Sequence, residues 1–336
     1  MYDEIFVPDF KNVTADNWAA KVTLANQLKL EEPEFELAEN AEIVLSSKIK
    51  LPTNGVTVKG TKGNKFIVEK SYTWTEGLKL GDNKVKVEVA ADAKLTVNSG
   101  AVIANEVTNN GVITVKKGAT LGNKEKANLI NSKTVYVEFG GFVYPKLGKE
   151  GAIAYKVPKK YSLKTIDDMI GTGSAGSANV NTLEINSDVD LKCQNVTTTD
   201  PEGSDGNPYN PSAGTPGSSN TEVLNLQGVN LWINGTGKVS ATAPYAYQVK
   251  DVVMNGGELS GIDINGNVIM NGTSTISDGN IAGTVTVEGG EAVISDGDIA
   301  GEVTVKAGSI EINNGDVDKV TAKVLLKSLI ATLPVM

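Results

Sequence analysis

The sequence predicts an all-β fold, a right-handed parallel β-helix solenoid closed by short helices. Three observations predict it. A segment near the C-terminus is written repeatedly on one period, its apolar positions alternate as in strands, and the chain is poor in aromatics (5%) and rich in glycine (36 of 336 residues). Segment 276–290, ISDGNIAGTVTVEGG, is followed at 294–308 by ISDGDIAGEVTVKAG. Ile276 matches Ile294 and Ile312, Ile281 matches Ile299 and Val317, and Val285 and Val287 match Val303 and Val305. Thr284 and Glu288, between them, change to Glu302 and Lys306. Fixed apolar positions on a fixed period mark a repeat array in which each unit buries its inner face only against an equivalent neighbour.

The repeats read as strands. Val285 and Val287 are one residue apart and so share a face, with Thr284, Thr286 and Glu288 on the other. The runs are too short and too rich in Val, Ile, Thr and Gly for helices. From Ile276 the apolar gaps are five, four, two and seven residues, not the regular six of a left-handed coil, which favours the right-handed form. The motif V-x-M-N-G at 252–256 and 268–272 carries the array backwards, and the register breaks after Lys319, where VTAKVLLKSLIATLPVM reads as a closing segment. In the S-D-G-N/D turns, Asp and Asn are expected to bond the backbone and Gly to take positive φ.

Taken from the N-terminus, residues 14–28 read as an opening helix with Thr14 as N-cap and Trp18, Val22 and Leu28 on its buried face. Alternating strand-like pieces follow, punctuated by Asn-Gly and Lys-Gly turns. A second start appears near residue 158, where Ser162 caps LKTIDDMI, with Leu163, Ile166 and Ile170 on one face. This order divides the chain into two β-rich segments, 1–155 and 156–336, each opened by a helix able to plug the open end of a stack. Residues 200–221, DPEGSDGNPYNPSAGTPGSSNT, nearly lack apolar residues and are expected to be a flexible surface loop.

Composition narrows the function. The net charge is −9, and there is no histidine and no arginine, so all 31 cations are lysines. Residues 1–164 hold 24 Lys against 19 Asp plus Glu, and residues 165–336 hold 7 Lys against 21. An acidic chain without arginine argues against a nucleic-acid partner. No run of about 20 apolar residues suits a transmembrane helix. Cys193 is the only cysteine, which excludes an intrachain disulfide and a Cys-rich metal site and reads as a small core residue. The start, MYDEIFVPDF, lacks the pattern of a signal peptide, so an exported protein would have had its signal removed. The oligomeric state is left open.

Two groups of residues are candidates for binding. Tyr209, Trp232, Tyr245 and Tyr247 flank the long loop and offer rings for stacking on sugars, with core packing the preferred role of Trp232. Asp278, Asp296 and Asn314 would form one stack, and Asn280, Asp298 and Asp316 another. Carboxylates about 5 Å apart in adjacent coils repel. Either Ca²⁺ bridges Asp278, Asp296, Asp298 and Asp316, or these are turns in which Asp and Asn bond the backbone. The second reading is preferred, because the G-G-x-G-x-D calcium pattern is not matched. No other cofactor is expected.

The opening helix, EIVLSSKIKLPTNGVTVKG, and the VTVEGG and VTVKAG coils resemble the pectin-lyase-like right-handed parallel β-helix superfamily. The resemblance is one of pattern and covers most of the chain. The superfamily includes polysaccharide lyases, glycoside hydrolases, phage tailspikes and bacterial surface adhesins. Its lyase pattern uses an arginine base, and its polygalacturonase pattern includes G-H-G and R-I-K, residues this chain does not contain. The resemblance therefore implies the adhesin-like branch: a secreted or cell-surface bacterial protein that binds a glycan or a host or cell-surface protein without catalysis. A carbohydrate-active enzyme working through two carboxylates and a structural spacer are the alternatives.

Overall fold

The computed structural model describes residues 8–146, 151–161, 163–170, 179–191, 194–195, 221–222, 226–241 and 247–322. The chain forms two compact units, Met1–Ile153 and Ala154–Met336. Both are parallel β-solenoids, and the helices among the described residues are α1, Ala15–Gln27, and α2, Leu163–Ile170. One short antiparallel pair, Gln194–Asn195 with Thr221–Glu222, departs from the parallel pattern. Ser162, Cys193, residues 200–220 of the expected loop, and residues 323–336 of the closing segment lie outside the described residues.

In the first unit each coil is built from short strands joined by tight corners. One face stacks Glu42–Val44, Lys65–Val68, Lys86–Val89, Val107–Asn109 and Leu129–Asn131, and another stacks Ser71–Trp74, Lys94–Val97, Val112–Val115 and Thr134–Val137. Alternation puts one side of each strand inside, so Ile43, Phe66, Val87, Val107 and Leu129 form one buried column. Each such side chain contributes roughly 1.5–3 kcal/mol gross, most of it offset by ordering the chain. Asparagines turn the corners from within. Asn109 Nδ2 donates to Asn131 Oδ1 of the next coil at 2.8 Å, both residues being buried, so the buried amides satisfy each other.

Helix α1 covers the first coil. Trp18, Val22 and Ala25 are buried on one stripe, and the Trp18 ring lies 5.5 Å from Phe35, edge-on, and 5.6 Å from Phe66. The Thr14 N–H donates to Asn17 Oδ1 at 2.9 Å, satisfying an orphan donor of the first turn. Leu28, expected on the buried face, is 43% exposed, because the helix ends at Gln27 and Ala25 takes the place facing the core. Outside, lysines and glutamates of adjacent coils pair: Lys65–Glu42 at 3.1 Å, Lys86–Glu106 at 2.8 Å and Lys59–Glu34 at 2.7 Å. The hydrogen bond that Lys65 donates to Glu42 holds its ammonium above its ordinary pKa, and the bond to Glu34 does the same for Lys59.

In the second unit the written repeat becomes the stacking register. Ile276 pairs with Ile294 and Ile294 with Ile312, Val285 with Val303 and Val287 with Val305, and Ile281 bridges to Ile299, which pairs with Val317. All are buried. The earlier motif stacks likewise, Val252 on Val268 and Met254 on Met270. In α2, Leu163, Ile166, Met169 and Ile170 are buried.

The glycines of the repeat act differently from expectation. The left-handed positions are Asp278 (φ 54°), Asp296 (φ 56°) and Asn314 (φ 52°), while the following Gly279, Gly297 and Gly315 lie outside that region. Asp and Asn tolerate left-handed backbone. Gly297 and Gly315 are needed because a Cβ there would fall on the carbonyl oxygen of Gly279 or Gly297 in the preceding coil.

Candidate functional site

Two surfaces of the second unit gather polar side chains. The first is the acidic row. Gln248, Asp263, Asn280, Asp298 and Asp316 line one side of a groove of about 450 Å³, with Ala282 and Ala300 also along it. The row is a ladder of side-chain to backbone hydrogen bonds between coils. The Asn280 N–H donates to Asp263 Oδ1 at 2.9 Å, the Asp298 N–H to Asn280 Oδ1 at 3.0 Å and the Asp316 N–H to Asp298 Oδ1 at 3.0 Å. Asp278 and Asp296 sit at the neighbouring corner, where Asn314 Nδ2 donates to Asp296 Oδ1 at 3.2 Å. The stacking expected of these residues is present, and side-chain oxygens of Asp263, Asn280, Asp296 and Asp298 accept from amide donors. Among the described residues no group of three or more His, Cys, Asp or Glu side chains is placed to hold a metal ion.

The second surface is the outer side of the strands Asn230–Asn234, Val252–Ser260 and Val268–Ser277. These strands pair in register, Trp232 with Val253 and Val253 with Ile269. Leu231 and Ile233 are fully buried and point inward, so Trp232 points outward and is half-buried. The expectation that Trp232 packs in the core is therefore corrected by strand parity. Ile269 is 38% exposed. Trp232, Val253 and Ile269 make an apolar stripe crossing three coils.

Rows of amides flank the stripe. On one side Asn234 Nδ2 donates to Asn186 Oδ1 at 3.2 Å, Asn255 Nδ2 to Asn234 Oδ1 at 2.9 Å and Asn271 Nδ2 to Asn255 Oδ1 at 3.1 Å. On the other, the Asp251 N–H donates to Asn230 Oδ1 at 3.4 Å and the Asn267 N–H to Asp251 Oδ1 at 2.8 Å. Each coil thus presents a polar–apolar–polar triple: Asn230, Trp232, Asn234; Asp251, Val253, Asn255; Asn267, Ile269, Asn271. A primary amide has two N–H donors and an acceptor with two lone pairs, so a ladder that uses one of each leaves hydrogen-bonding capacity facing outward.

At the end of the stripe, Glu184 pairs with Trp232 across the strands. Its strand, Thr182–Ile185, is buried at all four positions. Glu184 Oε1 accepts from Asn186 Nδ2 at 3.3 Å and lies 3.4 Å from Lys156 Nζ, while Oε2 is buried without a hydrogen-bond partner among the described residues. Further along the unit, a hydrogen bond from Thr321, aided by Lys319, holds the Glu302 carboxyl below its ordinary pKa.

Of the aromatic candidates, the two described, Trp232 and Tyr247, face opposite ways, outward and inward. Tyr247 is 3% exposed and pairs with Ile262 in the interior, so its ring is not available for stacking on a ligand; the alternation Tyr247-x-Val249 against Ile262-x-Ile264 requires this. Tyr209 and Tyr245 lie outside the described residues. The flanking asparagines escaped the sequence reading, although a signal existed: N-L-W-I-N, D-V-V-M-N and N-V-I-M-N repeat one outward triple. Nothing in TLEI marks Glu184.

No protein-family model, curated protein or solved structure matches the chain. What is shown is a nearly all-β chain folded as parallel β-solenoids, one of which carries an outer strand face with an apolar stripe between rows of Asn and Asp side chains.

Proposed function

We propose that the protein is a non-catalytic binding solenoid that contacts glycans through the outer face around Trp232. The observation that carries this reading is the half-buried indole continued by Val253 and Ile269 between a row of Asn side chains and the row Asn230, Asp251, Asn267. The C–H face of a sugar ring stacks on apolar surface, while its hydroxyls both donate and accept hydrogen bonds, which amides reciprocate. A cell-surface or secreted setting and a place in the adhesin-like branch of the pectin-lyase-like superfamily rest on the resemblance in sequence pattern. The acidic row serves as coil-to-coil structure in this reading, since its oxygens accept backbone N–H groups.

A glycan array run with the intact protein and with Trp232→Ala, each with and without Ca²⁺, tests it. The expected result is binding that falls by about tenfold or more in Trp232→Ala, the loss of a large aromatic contact, and that is indifferent to Ca²⁺. Binding unchanged by the substitution would move the site elsewhere, and binding that requires Ca²⁺ would move it to the Asp row.

A further inference from the structure

Resting on the glycan reading, we infer that the outer face takes a linear, uncharged sugar polymer laid along the stack, one sugar per coil. The triple of polar, apolar and polar side chains recurs in register on three successive coils, so the face is periodic rather than a single pocket. Adjacent coils are about 4.8 Å apart. Extended chains such as β-1,4-linked hexoses advance by a similar step per sugar and present alternating flat faces edged with hydroxyls. A compact helical chain would not keep its rings in step with Trp232, Val253 and Ile269.

Charge selects the uncharged class. The two amide ladders hold neutral groups apart from Asp251, and Glu184 follows Trp232 in the stripe's own row. Residues 165–336 carry 21 acids against 7 lysines. A polyuronate would bring carboxylates against this excess, whereas a neutral polymer meets only hydrogen-bonding and apolar groups. Each additional sugar should gain contacts until the stripe ends.

The test is calorimetric titration of the full chain with β-1,4-glucose oligomers from the disaccharide to the hexasaccharide, and with oligogalacturonate of equal length. Affinity is expected to rise about tenfold from the disaccharide to the trisaccharide and then level off, with oligogalacturonate weaker by about tenfold or more at low salt. Ile269→Lys should erase the gain from added sugars, and a retained melting temperature would show that this exposed substitution leaves the fold intact. Affinity that is flat with chain length, or tighter for oligogalacturonate, overturns this inference. If an unrelated glycan from the array binds through Trp232 without length dependence, the inference fails while the glycan reading stands. If no glycan binds the intact protein, both fail together.

Discussion

The two units stack coils by different means. In the first unit, lysines and glutamates on neighbouring coils pair across the outer surface, the interior carries Trp18, Phe35, Phe66 and Trp74, and a helix covers the first coil. In the second, Lys238–Glu258, Lys306–Glu288 and Lys319–Glu302 pair in the same way, but other outer rows, including those beside Trp232, are amide and Asp–backbone ladders, the interior is Ile, Val, Leu and Met with Tyr155 and Tyr247, and glycines let corners lie against one another. The difference teaches that the coil geometry needs only that each outer row satisfy itself one step along the stack. A row of ion pairs and a row of amides both do so, but only the amide row leaves a face without strong charge, and that face carries the stripe at Trp232.

Three experiments sharpen or break this contrast. The largest effect is expected at the cap. Trp18→Ala removes the ring that lies on Phe35 and Phe66, and should cost the first unit about 3–5 kcal/mol; hydrogen exchange read by mass spectrometry should show faster exchange in the first coils and none of that change in the second unit. Next is the glycine corner. Gly297→Ala drives a Cβ onto the Gly279 carbonyl, whereas Gly289 has nothing within 4 Å of the same atom. Gly297→Ala should destabilise the second unit by about 3 kcal/mol and Gly289→Ala by under about 0.5 kcal/mol, measured by denaturant unfolding. Equal effects would show that close packing of corners is not what the repeat protects. The smallest effect is salt. The Lys–Glu pairs are exposed and contribute little, so raising NaCl to about 1 M should lower protection in the first unit slightly and leave the amide rows of the second as they were.

How much of this was legible in the chain depended on how faithfully coils copy one another. Ile276, Ile294 and Ile312 could be stacked on paper because the spacing between copies is constant, and the structure pairs them so. In the first unit the coils differ in length and sequence, so alternation announced strands but not which strand lies on which. Face was legible where two apolar residues flank a third. Leu231 and Ile233 fix Trp232 outside, and the same rule applied to Tyr247 and Val249 puts the tyrosine inside. Judging aromatics by type rather than by parity misplaced both. The burial of Glu184 was not legible, because covering an outward position depends on segments distant in sequence. The role of the glycines was misassigned for a similar reason: what forbids a side chain at Gly297 is a carbonyl of another coil, not its own backbone angle.

The ladder through Asn280, Asp298 and Asp316 has a consequence for how such a chain can change size. Its rungs are 18 residues apart. Excising residues 281–298 would join Asn280 to Ile299 and leave the later rungs in their rows. Shorter coils stand in the same array: the Asp263 rung lies 17 residues before Asn280, and Asn255 pairs with Asn271, 16 residues on, with a register shift between Asn255 and Gly257. A residue can therefore be lost at a corner, whereas one lost within a strand would turn that strand's inner side outward, so the array changes size by whole coils or at its corners, and the near-identical copies at 276–290 and 294–308 are what one added coil looks like.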